Sequence, residues 1–214
     1  MPQINLPMPF IAHNSTFTLL LWRMAEDESQ LLSLYPDLRS LASEYGSYKS
    51  SSRRLEYLSV RALLYEYFGR VVSIWHSPEG KPLLEGGKHI SISHTKGYCT
   101  VILSDTYNVA IDIEYRSDRV LRVADRFLRA DEKLPSIDGE LIAWCAKETL
   151  YKLHSSDCLG FADMRINASG DSKAGEERNT GKLQIENIKR DTFVEVNYLT
   201  TKDYILTYAV EENI

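Results

Sequence analysis

The 214-residue chain lacks the features that mark membrane-spanning, disulfide-bonded and nucleic-acid-binding proteins. Its most apolar early stretch, residues 17–22, is far shorter than the ~20 residues a spanning helix needs. No basic segment precedes that stretch, so we expect neither a membrane span nor a secretory signal. The three cysteines are an odd set without metal-binding spacing, which predicts a reducing, cytoplasmic setting. The net charge of −5 argues against nucleic acid as a partner.

The composition is that of a globular protein, with 43% hydrophobic and 26% charged residues. The length fits one large domain or two small ones. Residues 1–105 hold ten basic and ten acidic side chains, whereas residues 106–214 hold fifteen and twenty. This asymmetry indicates that the halves differ in role. We therefore predict an N-terminal subdomain at 1–105 and a C-terminal subdomain at 106–214.

Apolar periodicity predicts an α+β fold of two similar subdomains, each with an antiparallel sheet and a long helix. Gly69 follows a helical pattern and is a stop signal, and Asp118 and Asp138 are expected helix caps. The predicted irregular segments are an arm over 1–15 and loops over 77–87 and 169–181. The predicted helices are 28–45 (broken near Pro36), 53–68, 118–129 and 138–153. The predicted strands are 16–24, 71–75, 89–94, 98–103, 109–115, 161–167, 183–188, 192–199 and 204–210.

Two carboxylates stand two residues apart on the strand predicted over 109–115. Asp112 and Glu114 then share one face, while the apolar residues between them point to the other. Two adjacent carboxylates repel each other unless a cation lies between them. Hard oxygen ligands of this kind suit Mg²⁺, which commonly binds carboxylates together with substrate phosphates. The alternative is a solvated strand face.

A helical segment follows with Trp144, Glu148 and Lys152 spaced four residues apart. On a helix these side chains share one face. One interpretation is an ordinary Glu–Lys pair beside a packed tryptophan. The other is that Glu148 joins the strand carboxylates around a metal ion while Lys152 holds a phosphate oxygen.

The N-terminal half offers cations and hydroxyl donors that suit a phosphate. They occur in a Gly-Lys-Pro turn, in a Ser-His pair at a strand end and on the helix over 53–68. Each one alone is also compatible with a structural histidine or a solvated helix face. The candidate residues are Lys81, Pro82, Ser93, His94, Arg53, Arg54 and Arg61.

Gly-Lys-Pro, Ser-His, Asp-x-Glu and Trp-x-x-Lys-Glu-x-x-x-Lys follow one another in that order between Gly80 and Lys152. This combination resembles the 4′-phosphopantetheinyl transferases, in particular the long monomeric type that activates surfactin-like peptide and polyketide synthetases. The resemblance extends loosely to 53–64. The chain departs from the family pattern at Val60 and Ala110, where glycine is common, and at Thr149, where alanine or serine is usual.

The resemblance implies two α+β subdomains related by a pseudo-twofold axis, with coenzyme A in the cleft between them. The 4′-phosphopantetheine arm would move to a serine hydroxyl of an apo acyl or peptidyl carrier protein, releasing adenosine 3′,5′-bisphosphate. By similarity, Asp112, Glu114 and Glu148 would hold Mg²⁺. Glu148 would also be the general base, and Lys152 would bind phosphate and stabilise the leaving side. The remaining contacts to the nucleotide would come from Lys81, Pro82, Ser93 and His94, with Arg53, Arg54 or Arg61 on the 3′-phosphate.

Four arginines on the helix predicted over 118–129 form a basic stripe that we expect to help dock an acidic carrier. They are Arg119, Arg122, Arg126 and Arg129. A solvated helix face is the alternative. The chain is expected to be a monomer, because it is long enough for two internal subdomains. A Mg²⁺-dependent phosphodiesterase and a non-catalytic coenzyme A or carrier-binding module remain alternative functions.

Overall fold

The computed structural model describes residues 10–132, 137–167, 172–173 and 179–212. Helices and antiparallel sheets both contribute, which confirms the predicted α+β fold. Within the described residues no helix is long and apolar enough to cross a membrane. The helices are α1 Glu28–Leu34, α2 Ala42–Tyr45, α3 Ser51–Phe68, α4 Ala124–Phe127 and α5 Ile137–Leu153. The strands are β1 Phe10–His13, β2 Thr18–Arg23, β3 Ile74–His76, β4 Pro82–Leu84, β5 His89–Thr95, β6 Tyr98–Ser104, β7 Tyr107–Tyr115, β8 Met164–Asn167, β9 Ser172–Lys173, β10 Asn179–Asn187, β11 Thr192–Thr200 and β12 Tyr204–Glu212.

In the N-terminal half, α3 packs on a four-stranded antiparallel sheet with the order β1-β2-β6-β5. The Ser50 hydroxyl caps its start by accepting a hydrogen bond from the Arg53 N–H. Its end is at Gly69, whose φ of 69° suits glycine and whose N–H donates to the Tyr65 carbonyl. This confirms the stop predicted from Gly69. The β3–β4 hairpin lies next to the sheet and contacts β5.

In the C-terminal half, α5 packs on a larger antiparallel sheet with the order β7-β12-β11-β10-β8, to which β9 adds a short pairing with β10. Ala143 and Leu150 of the helix belong to one buried cluster with Ile185 and Val196 of the sheet. Each half thus has one long helix on one antiparallel sheet. A twofold relation between the halves stays a prediction, as does the boundary at 105/106.

A third buried cluster lies where the two sheets face each other. It joins Leu19 and Ile102 of the first sheet to Ile111 and Leu206 of the second. Strand β7 therefore uses both of its faces, because Ala110 belongs to the core beneath α5 instead. The alternation predicted for this strand is confirmed, and it turns Asp112 towards α5.

Several predicted elements differ from the structure. Residues 118–129 do not form one helix: a 3-10 turn at Asp118–Arg122 is followed by the single turn of α4, and Ser117 rather than Asp118 provides the cap. Strands β1 and β4 occupy segments predicted to be irregular. A 3-10 turn at Phe161–Asp163 precedes β8, and α5 begins one residue before Asp138. The rest of the arm (1–9) and most of the loop over 169–181 lie outside the described residues.

Candidate active site

A cavity of about 500 Å³ lies between α3, the β3–β4 hairpin, β5 and the end of α5. It brings together side chains that are up to about a hundred residues apart in the chain. The candidate residues that line it are Arg53, Arg61, Lys81, Pro82, Ser93, His94, Glu148 and Lys152. Cations from the N-terminal half thus face a carboxylate and an ammonium group from α5.

Asp112 lies behind this cavity and is 95% buried. Its Oδ1 accepts hydrogen bonds from the Ser93 hydroxyl at 2.8 Å and from the Lys152 ammonium at 2.7 Å. Lys152 also donates to the Ile111 carbonyl at 3.0 Å. The second oxygen, Oδ2, is buried and accepts no hydrogen bond. Burying a carboxylate oxygen without a hydrogen-bond donor or a cation beside it costs free energy. An added donor or cation at Asp112 Oδ2 would therefore stabilise the site.

Glu114 and Glu148 flank Asp112. Burial raises the pKa of Glu148, and the nearby charge of Asp112 raises it further while Lys152 opposes the shift. Burial and Asp112 also raise the pKa of Glu114, against hydrogen bonds donated by Thr95 and Trp144. The charge of Lys152 opposes both of these pKa shifts, but burial and the charge of Asp112 outweigh it.

The three carboxylates are the groups of the site that could hold a hard divalent cation. No three His, Cys, Asp or Glu side chains of the described residues are clustered closely enough to hold a metal ion as they stand. The unpartnered Oδ2 of Asp112 and the raised pKa values of its two neighbours nevertheless favour an added cation. The donor set consists of carboxylate oxygens, which Mg²⁺ prefers. The chemistry of these donor groups therefore fits Mg²⁺.

The two lysines of the 144–152 segment have different surroundings. Lys152 is partly exposed and faces the cavity. Lys147 is fully buried on the other side of α5, where its ammonium group contacts Glu132 at 2.7 Å and the Phe127 carbonyl at 2.8 Å. Burial lowers the pKa of Lys147, and Glu132 opposes that shift. Lys147 therefore connects α5 to Glu132 and to the end of α4, and of the two lysines Lys152 is the one that lines the cavity.

His94 and two residues of α3 form one wall of the cavity. The Arg53 guanidinium donates to His94 Nε2 at 2.8 Å and also bonds to Glu56 at 3.1 Å. Burial lowers the pKa of His94, which favours the neutral ring that accepts this bond. About half of the Arg53 side chain is exposed, so its guanidinium remains accessible to an anion.

Arg61 lies deeper in the same wall and is 93% buried. Its guanidinium stacks over the Tyr57 ring at 4.7 Å and is 3.7 Å from Glu44. Its Nε is buried without a hydrogen-bond partner. Tyr57 was not among the candidate residues, although it lies one helical turn before Arg61 and so predictably on the same face.

Arg54 points away from the cavity. Its guanidinium bonds to Glu28 at 2.9 Å and to the Tyr48 carbonyl at 3.0 Å, which connects the start of α3 to α1.

The four arginines of the predicted basic stripe differ in their surroundings. Arg129 forms hydrogen bonds with Asp131 and with the Ala162 carbonyl, whereas Arg119, Arg122 and Arg126 are exposed.

Lys81 reaches across to the C-terminal half. Its ammonium group donates to Asn108 Oδ1 at 2.7 Å, and the Asn108 amide in turn donates to the Leu153 carbonyl at the end of α5. Burial lowers the pKa of Lys81. Asn108 was not among the candidate site residues. The one feature of the sequence that could have indicated it is a polar side chain at the start of an apolar strand.

Residues 108–209 match the family model of the 4′-phosphopantetheinyl transferase superfamily. The C-terminal half is therefore similar to the phosphopantetheinyl transferase superfamily. The match spans β7 and α5 and so includes Asp112, Glu114, Glu148 and Lys152, but the cationic wall of the cavity lies outside it. A search of curated proteins found no match to the chain. The match supports phosphopantetheine transfer in general, without the finer type that the sequence analysis named.

Proposed function

We propose that the chain transfers the 4′-phosphopantetheine arm of coenzyme A to a serine hydroxyl of an apo acyl or peptidyl carrier protein. The observation that carries this proposal is the cavity in which N-terminal cations face the acidic and basic groups of α5 within the residues that match the family model. The serine oxygen would attack the phosphorus that bears the arm. The bond from that phosphorus to the leaving adenosine 3′,5′-bisphosphate would break.

Asp112, Glu114 and Glu148 would hold Mg²⁺ in this proposal. A bound Mg²⁺ supplies charge neutralisation at the pyrophosphate, which phosphoryl transfer needs more than covalent chemistry. Glu148 would accept the serine proton, because its carboxylate lines the cavity next to Lys152. Lys152 would bind a phosphate oxygen of the leaving side. Its present contact with Asp112 indicates that the ammonium group already lies at the acidic site.

The nucleotide would lie along the N-terminal wall, with Lys81 and Pro82 by the adenine. His94 would contact a phosphate directly, whereas the Ser93 hydroxyl hydrogen points to Asp112. Of the three candidate arginines, we assign the 3′-phosphate to Arg61, because its buried Nε has no partner in the wall of the cavity. Arg53 is the accessible second contact, and the bonds of Arg54 to α1 argue against that residue.

The exposed arginines at 119, 122 and 126 would attract an acidic carrier, mostly by raising the rate of association. Of the three, Arg119 lines a smaller cavity of about 220 Å³ that includes Glu114 and Trp144 in its lining. The cytoplasmic location, the monomeric state and the long surfactin-synthetase-activating type all remain proposals.

Incubation with coenzyme A, Mg²⁺ and an apo carrier, followed by mass spectrometry of the carrier, tests the function. A gain of one phosphopantetheine arm is the expected result, and it should disappear with Glu148→Gln and with carrier whose acceptor serine is replaced by alanine. Hydrolysis of a phosphodiester without carrier modification would point to a phosphodiesterase. Coenzyme A binding without transfer to any carrier would point to a binding module.

A further inference from the structure

A row of hydroxyl groups joins the two sheets at their facing edges. Alternate side chains of β5 carry these hydroxyls, and alternation places them on one face of the strand. Each hydroxyl oxygen accepts a hydrogen bond from a backbone N–H of β7, in the role that a backbone carbonyl has within a sheet. The bonds run from Ile111, Ile113 and Tyr115 to Ser91, Ser93 and Thr95, at 3.1, 3.3 and 3.0 Å.

Two of these hydroxyls also act as donors, and both donate to a carboxylate of the site. The Ser93 hydroxyl donates to Asp112 Oδ1 at 2.8 Å, and the Thr95 hydroxyl donates to Glu114 Oε2 at 3.2 Å. In each case the hydroxyl binds the carboxylate of one residue and the backbone N–H of the next. The same pair of bonds recurs two residues further along, because the bonded residues of β5 and β7 are separated by a constant number of positions in the sequence. Ser91 makes only the strand-to-strand bond, since the corresponding β7 residue is Ala110.

We propose that Thr95 is a positioning residue that orients the Glu114 carboxylate for metal binding. This inference rests on the proposed function. One oxygen of Glu114 is held by a β-branched side chain with few rotamers, which is itself anchored to the β7 backbone. Partners of this kind orient metal ligands and affect metal affinity about 10–100-fold. Thr95 lines neither cavity, so substituting it leaves the substrate contacts in place.

The test compares Thr95→Val, Thr95→Ser and Ser91→Ala. Valine has the shape of threonine but neither donates to Glu114 nor accepts from Tyr115. Serine restores both functions. Ser91→Ala removes one bond of the same strand-to-strand row and touches no carboxylate, so it is the matched control. Because Ser91 lines the larger cavity, Mn²⁺ binding is measured by electron paramagnetic resonance without coenzyme A or carrier, and circular dichroism verifies folding.

We expect Thr95→Val to weaken Mn²⁺ binding about tenfold, with Thr95→Ser and Ser91→Ala close to wild type. In the transfer assay, the Mg²⁺ concentration for half-maximal rate should rise by a similar factor, and kcat at saturating Mg²⁺ should change less. Wild-type affinity in Thr95→Val overturns the inference while leaving the proposed function intact. Equal losses in Thr95→Val and Ser91→Ala overturn it too, because the effect would then come from the strand contact. Absence of both Mn²⁺ binding and transfer in the wild type removes the proposed function as well.

Discussion

Replacement of Lys147 by methionine should destabilise the fold and leave the affinity for coenzyme A unchanged. The Lys147 ammonium group is fully buried between Glu132 and the Phe127 carbonyl. Glu132 is buried as well, and it also accepts the backbone N–H groups of Arg129 and Ile166, each at 2.7 Å. The pair therefore connects α5 to the ends of α4 and β8.

The size of the effect follows from what the substitution leaves behind. Removing one partner of a buried ion pair costs about 3–5 kcal/mol, because the other charge stays buried. Methionine fills most of the vacated volume, and Glu132 keeps two backbone donors, so the loss should be near the lower end, about 3 kcal/mol. For a chain of this length that corresponds to a fall in Tm of roughly 6–12 °C.

Thermal and urea unfolding measure this loss, and calorimetric titration with coenzyme A checks the site. The double variant Lys147→Met/Glu132→Gln should lose less than the sum of the single variants, because no uncompensated charge remains. Lys182→Met removes an exposed pair with Glu195 and should cost less than about 1 kcal/mol. A loss below about 1 kcal/mol for Lys147→Met, or weakened coenzyme A binding in a stable variant, would refute the structural role.

Three further predictions concern charged groups of the site and its surface. In metal-free buffer, Glu148→Gln should melt at a higher temperature than wild type at pH 7.5, because the raised pKa means that the folded state disfavours the charged carboxylate. The difference should close as the pH falls through that raised pKa towards the ordinary value of 4.5, and a difference independent of pH would contradict the assignment. Arg61→Gln should raise the KM for coenzyme A about tenfold or more, because a charged hydrogen bond is lost, and it should leave the KM for 3′-dephospho-coenzyme A unchanged. The control Arg54→Gln should change the KM for both substrates equally. An equal rise in both KM values with Arg61→Gln would argue against the 3′-phosphate contact. Reversing Arg122 and Arg126 to glutamate should lower kcat/KM for the carrier at low salt and leave coenzyme A affinity intact, and unchanged carrier kinetics would exclude docking there.

Local signals explain which elements were predictable. Helix α3 has a serine cap and a terminal glycine, both visible in the sequence. The alternation in β7 fixes which side of the strand carries Asp112. Strand β1 was missed because Pro7 and Pro9 suggest an irregular chain, although Asn14 closes the turn into β2 by accepting two backbone N–H groups.

The helix predicted over 118–129 fails for reasons that lie elsewhere in the chain. The apolar residues of this segment have helical spacing. Instead of continuing a helix, however, the Phe127 carbonyl accepts a hydrogen bond from Lys147, and the Arg129 N–H donates to the Glu132 side chain. Both contacts lie where α4 has ended and the Leu128 backbone is extended. Lys147 is twenty residues away from Phe127, so no local pattern reveals the contact. The same holds for Arg54 and Arg61, whose contacts are with Glu28 of α1 and Glu44 of α2.

The family match and the cavity support the proposed reaction in different ways. The family match covers the three carboxylates Asp112, Glu114 and Glu148. Three carboxylates around a divalent cation would suit a phosphodiesterase equally well, so these residues alone do not distinguish the two reactions. What distinguishes a coenzyme A site is the wall opposite, where Lys81, His94 and Arg61 lie outside the matched residues. That wall offers the cations Lys81 and Arg61 along one side of a partly open cavity rather than an extended basic surface, which suits one small polyanion better than a nucleic acid backbone. The comparison of coenzyme A with its 3′-dephospho form probes this wall directly, and it therefore tests the part of the assignment that the family match does not reach.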